Sequence, residues 1–271
     1  MERPELYDKP RNQMIDWNRF REIQTLRESG RPAEALTKFE ALRQNATDAV
    51  ERSAILQHEA LCYYDLGRFD AEVEAASEAV SLLLEESPGR PYAEFSLACA
   101  HGHADKSDLA VQELKAFLKK HADFLNDNEE IQLRRDAQLR LIANLIVLGH
   151  AIEPLSIVNA LKREEISPEE RAELSYREAE AHRILGRCDH ALELYQEAIN
   201  GPLVRSLAAR AHFHIGEVLY DRGKFSQAIG EFKAAENLAD PASPDKNDFA
   251  KWVEHTLRAT GNPKTDETPG C

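Results

Sequence analysis

The sequence predicts an all-α fold: an α-solenoid of stacked helix–turn–helix hairpins closed by a C-terminal capping helix. Three observations carry this. The phrase GRCDHALELYQEAI at residues 186–199 returns as GKFSQAIGEFKAAE at 223–236. Turn residues recur at Gly30, Gly67, Asp105, Gly149, Gly186 and Gly223, in steps of 37, 38, 44, 37 and 37. Helix-length runs of good helix formers flank these positions, with apolar or small residues three and four apart.

Residues 1–15 are polar and charged and read as an N-terminal extension. Six hairpins then fill residues 16–240, each a helix, a tight turn at one of the six anchors, and a second helix. Before the second, third and sixth anchors stand SAILQHEALCYYDL, PYAEFSLACAHGHA and ARAHFHIGEVLYDR. Glycine suits the anchor because it enters the left-handed region without a side-chain clash, and the polar residues after it start the next helix. Five residues past the anchor stand Ala35, Ala110, Ala191 and Ala228; nine past stand Phe39, Leu114, Val158, Tyr195 and Phe232. Twelve past stand Leu42, Ala79, Phe117, Leu161, Ala198 and Ala235. Small residues recur where two helices would cross closely and large ones where a gap needs filling. The 44-residue step contains KKHADFLNDNEEIQL, residues 119–133, read as seven extra residues tolerated in a connection. After the two prolines of PASP, residues 245–260 read as the capping helix, with a polar outer face for solubility, and 261–271 as a disordered tail. The total is about 13 helices, six hairpins and a cap.

The 271 residues are 42% hydrophobic, which suits a folded chain. Forty-eight acidic residues against 34 basic ones leave a net charge of −14, which repels phosphate backbones and anionic lipid. Neither nucleic acid nor a membrane is an expected partner. The first residues are polar where a secretory signal needs an apolar core, and no run of about 18 apolar residues occurs. Cys62, Cys99, Cys188 and Cys271 lie far apart, with no C-x-x-C pair, so neither a zinc knuckle nor a disulfide framework is suggested. A reducing cytoplasm is the expected compartment.

The columns resemble the tetratricopeptide repeat family, as about six degenerate repeats over residues 16–240. A small residue seven before the turn is matched by Ala60, Ala98, Ala179 and Gly216, and the turn aromatic by Phe69 and Phe225. The second-helix alanines are matched by Ala191 with Ala198 and by Ala228 with Ala235. Pro154 and Glu72 stand where that pattern has alanine. The resemblance implies a right-handed superhelix whose first helices line a concave groove. Family members that bind chaperone tails hold a terminal carboxylate with lysine and asparagine on the first helices. Here those columns carry Phe20 with Gln24 and Gln57 with Leu61, so that clamp is not implied.

Enzymatic motifs are missing: there is no G-x-S-x-G, P-loop, G-x-G-x-x-G or H-E-x-x-H. His101 and His103 are two apart and point in different directions on a helix. Cys99 with His103, and His58 with Cys62, stand four apart, but a zinc site needs at least three protein ligands. No catalytic residue, cofactor or metal is expected.

Ten residues before the anchors stand Phe20, Gln57, Phe95, Leu139, Tyr176 and Phe213; nine before stand Arg21, His58, Ser96, Arg140, Arg177 and His214. The second column holds no carboxylate. Phe20, Arg21, His58, Phe95, Arg140, Tyr176, Arg177, Phe213 and His214 are therefore candidates for a peptide-binding groove, with arginines suited to a carboxylate-bearing segment. The same columns can instead be packing, with aromatics filling space between hairpins and arginines paired to Glu173, Glu180 and Glu217. The expected function is a non-catalytic adaptor binding a protein or peptide segment, acidic segments included, as a monomer or weak homo-oligomer. The alternative is a regulator whose superhelix changes shape on binding a ligand or peptide and releases an effector.

Overall fold

The structure is a computed structural model and describes residues 16–127, 129–240 and 244–260; the expectations for residues 1–15 and 261–271 lie outside the described residues. Fourteen helices and no strand occur among the described residues. The first three hairpins are α1 (Trp17–Glu28) with α2 (Pro32–Asn45), α3 (Ala49–Asp65) with α4 (Phe69–Ser81), and α5 (Arg90–His103) with α6 (Ser107–Lys120). A short α7 (Ala122–Leu125) follows. The next three are α8 (Ile131–Val147) with α9 (Ile152–Leu161), α10 (Pro168–Ile184) with α11 (Cys188–Asn200), and α12 (Arg205–Asp221) with α13 (Phe225–Leu238); α14 (Pro244–Thr260) ends the array. This is the all-α solenoid expected from the periodicity. The extra helix, α7, takes up part of the long connection and buries Leu125. Two compact units are formed, one by residues up to 144 and the other from 145 on.

All six anchors have positive φ, five of them glycines between 68° and 81° and the sixth Asp105 at 56°. One residue later the chain closes the same backbone bond each time: the N–H groups of Arg31, Arg68, Lys106, His150, Arg187 and Lys224 donate to the carbonyls of Leu26, Tyr63, His101, Leu145, His182 and Leu219. This six-to-one bond satisfies a carbonyl left over at the helix end and turns the chain back on itself. The six residues that donate it are all basic side chains. They stand where a cation meets the negative end of the first helix, which accounts for them without a ligand. Elsewhere the starts of helices are capped by side chains. Asp48 accepts from the N–H groups of Val50 and Glu51, and Ser167 forms a reciprocal box with Glu170 at the start of α10.

The columns then meet. Phe39, Leu114, Val158, Tyr195 and Phe232 are all fully buried, as are Ala35, Ala110, Ala191 and Ala228. Opposite Phe232 stands Gly216, where an added Cβ would lie 2.6 Å from the ring. The two departures from the alanine pattern are accommodated differently. Pro154 is buried in the first turn of α9, where its missing N–H would have had no helical partner. Glu72 is buried with its Oε1 2.8 Å from Nδ1 of His103 on the next hairpin.

Two titratable groups in the first unit are displaced in opposite senses. His58 lies beside the touching rings of Phe20 and Phe39, at 4.7 and 5.5 Å, and its Nδ1 has no partner among the described residues. Burial, helped by Arg27, lowers its pKa from 6.5 to about 4. Glu59 is buried on the following residue, and burial raises its pKa from 4.5 to about 7 against the pull of Arg43, whose Nε donates to it at 3.0 Å.

Three outcomes follow from this packing. Asp105→Gly should stabilise the protein to urea by up to about 1 kcal/mol and Gly223→Ala should destabilise it by at least that much, because only glycine enters the left-handed region without penalty. Gly216→Ala should cost about 1–3 kcal/mol by overpacking against Phe232, and Phe232→Leu in the same chain should restore part of it. Between pH 4 and 6.5 the depressed His58 makes stability rise with pH, whereas between 4.5 and 7 the raised Glu59 makes it fall. The two therefore offset each other in the native protein. Glu59→Gln should expose the His58 slope, so thermal denaturation at a series of pH values should give a midpoint that climbs from pH 4 to 6.5 in the variant and stays flatter in the parent.

Candidate functional site

The second unit carries a cleft of about 420 Å³ that begins with three candidate groove residues, Tyr176, Phe213 and His214. The register of α10 and α12 places them. Tyr176 is fully inside, with its ring 5.8 Å from that of Tyr195. Phe213 is half-buried and touches three neighbouring rings, those of Phe232, Phe249 and Trp252, at 5.5, 4.9 and 6.0 Å. Two of these rings belong to α14. That helix completes the cleft wall with Phe249 and Trp252 and adds Asp245, Asp248 and Lys251 at its edge.

Charge around the cleft is organised in pairs. Nε and Nη2 of Arg210 both donate to Oδ2 of Asp245 at 3.1 Å, tying α12 to α14. Nζ of Lys251 donates to Asp248 at 2.8 Å. Glu180 is buried one turn beyond Tyr176 and accepts the Tyr195 hydroxyl; Nε of Arg183 donates to the same oxygen at 3.4 Å, and Nε2 of His214 lies 3.6 Å from it. Burial raises the pKa of both tyrosine hydroxyls, reinforced by the Glu180 charge, so they remain protonated donors. A site with apolar floor and paired charges of both signs can bury an aromatic or aliphatic side chain while exchanging hydrogen bonds with the backbone beside it.

The remaining candidates divide by environment. Phe20 is buried against Phe39, and His58 lies beside both rings. Phe95 is half-buried and packs on Phe117 at 5.8 Å. Arg177 donates to Glu173 at 3.1 Å and lies 5.3 Å from the Tyr176 ring, which is the packing alternative for that residue. Arg21 and Arg140 are exposed, and neither side chain has an ion pair or hydrogen bond among the described residues.

Cys62 and Cys99 are free thiols that burial pushes up to about 11 and 12, so neither is a thiolate at neutral pH. His103 is occupied by Glu72. Neither Cys99 with His103 nor His58 with Cys62 gains a third ligand among the described residues; three potential ligands do come together elsewhere, at Glu178, His182 and His190.

Sequence reading found the α10 and α12 faces through the 37-residue period but treated α14 only as a cap. The signal that it also lines a cleft was present in DFAKWVEHT, where Phe249, Trp252, Val253 and Thr256 share one helix face. Arg210 was missed because it stands outside the two columns considered.

No helix among the described residues is long and apolar enough to cross a membrane. No curated protein sequence matches the chain. Among solved structures, TPR-like repeats of a putative kinesin light chain from Podosopora anserina superpose with a TM-score of 0.57 at 19% identity, over 67% of this chain and 92% of that one. An assembly chaperone of RpL4 superposes with a TM-score of 0.53 at 16% identity, over 91% of this chain and 97% of that one. At such identities the likeness establishes the fold alone. The family model described as tetratricopeptide repeat matches residues 20–91 and 176–246, together just over half of the chain, and the protein belongs to that family.

Proposed function

We propose that the chain is a non-catalytic adaptor that binds an extended segment of another protein, with the cleft bounded by α10, α12 and α14 as the principal pocket. Tetratricopeptide repeats generally mediate protein–protein interaction. The observation that carries the reading here is the cleft itself. Its lining combines the half-buried rings of Phe213 and Trp252 with the Arg210–Asp245 and Lys251–Asp248 pairs, so an apolar anchor residue and its flanking amides both find complements. Arg21 and Arg140 support a preference for segments bearing carboxylates. In a chain of net charge −14 they are exposed cations on the first unit, without an ion pair among the described residues, and offer that unit's own surface to a carboxylate.

Affinity capture, followed by binding measurements on the captured partner, tests both parts. Hydrogen exchange in the complex should slow in α10, α12 and α14, and protection confined to α11 and α13 would place recognition on the opposite face. Arg140→Glu should weaken binding at least tenfold, about 1.4 kcal/mol, with helical circular dichroism unchanged and with a steeper loss as salt is raised in the parent than in the variant. An Arg140→Glu protein that binds as tightly as the parent would remove the acidic preference.

A further inference from the structure

Glu178 and His182 are four residues apart on α10 and share a face; His190 approaches them from the first turn of α11, across the Gly186 turn. Donor atoms of the three side chains lie within 4.8 Å of one another. The two imidazoles face each other at 4.3 Å between centroids, with their planes 78° apart. His182 is only 8% exposed, and its Nδ1 is buried without a hydrogen-bond partner. An unsatisfied imidazole nitrogen buried beside a second imidazole and a carboxylate is costly unless something accepts its lone pair or its proton. We propose that Glu178, His182 and His190 form a binding site for a divalent cation of the zinc class, with an open position for water.

Donor chemistry selects the ion. Two imidazole nitrogens and one carboxylate suit Zn²⁺ and its neighbours Co²⁺, Ni²⁺ and Cu²⁺, whereas Ca²⁺ and Mg²⁺ require mostly oxygen. Ligand bonds of about 2.0–2.2 Å put donors of a tetrahedral ion about 3.4 Å apart, so the cluster must contract slightly. His190 can supply that movement, being half exposed, with a 3.6 Å contact to Glu193 beside its ring contact to His182. Glu178 is partly committed: its Oε2 accepts from Nζ of Lys162 at 2.5 Å. Oε1 carries no hydrogen bond or ion pair among the described residues, so one carboxylate oxygen can ligate while the lysine keeps its bond. The bound ion would fasten α11 to α10 beside the turn, on the helix that also presents Tyr176 and Glu180 to the cleft.

The test uses the untagged full chain, freed of metal by chelation and titrated with Zn²⁺ by calorimetry, with Co²⁺ absorption reporting the coordination sphere. One equivalent should bind saturably, and Zn²⁺ should raise the melting temperature. His190→Ala and Glu178→Gln should each weaken binding at least tenfold and abolish the melting shift, while His150→Ala, at another exposed histidine, should change nothing. His190→Ala leaves an exposed position, so circular dichroism should report an intact fold. Absence of saturable uptake by the parent chain, or equal affinity in folded His190→Ala, overturns the site.

Discussion

The left-handed turn at each anchor is the constraint on which everything else depends. Closing the six-to-one bond from the following N–H fixes the reversal between first and second helices to the same geometry six times over. Once that geometry repeats, positions counted from the anchor must meet the same neighbours in each hairpin. The small residue seven before and the large one nine after are one such pair, and in the last hairpin Gly216 and Phe232 approach so closely that no Cβ fits between them. Asp105 shows that the conformation is the requirement and the glycine only its easiest means.

Buried carboxylates in the first unit find their partners across hairpins. Glu72 takes His103 from the next hairpin, and Glu59 takes Arg43 from the preceding one. Each buries a carboxylate that a continuous apolar core would not require, and each is held by a specific partner, without which the buried charge would be expensive. A pair of opposite displacements such as His58 and Glu59 keeps the net protonation change on folding small near neutrality.

The second unit concentrates its chemistry on α10. One side of this helix gives Tyr176 and Glu180 to the cleft; another gives Glu178 and His182 to the cluster completed by His190. A capping box starts the helix and a left-handed turn ends it, so the chain itself satisfies backbone groups at both ends. An ion at the cluster would bear on the same helix that a partner segment would touch.

The sequence by itself determined the helical fold, the six turns and the buried columns, because a 37-residue period reports backbone geometry directly: a position that must be small or left-handed is so in every repeat. It also brought Tyr176, Phe213 and His214 forward as one surface. Whether an aromatic in such a column is wall or contact was decided only by the tertiary structure. Phe20 is covered by Phe39 and His58, while Phe213, although packed on Phe232, Phe249 and Trp252, stays half-buried and lines the cleft. The same holds for His190, which the four-residue spacing of Glu178 and His182 does not bring to them. Proximity across a turn depends on how two helix faces are rotated against each other, and that rotation is set by the packing of the whole hairpin, not by any residue in the motif.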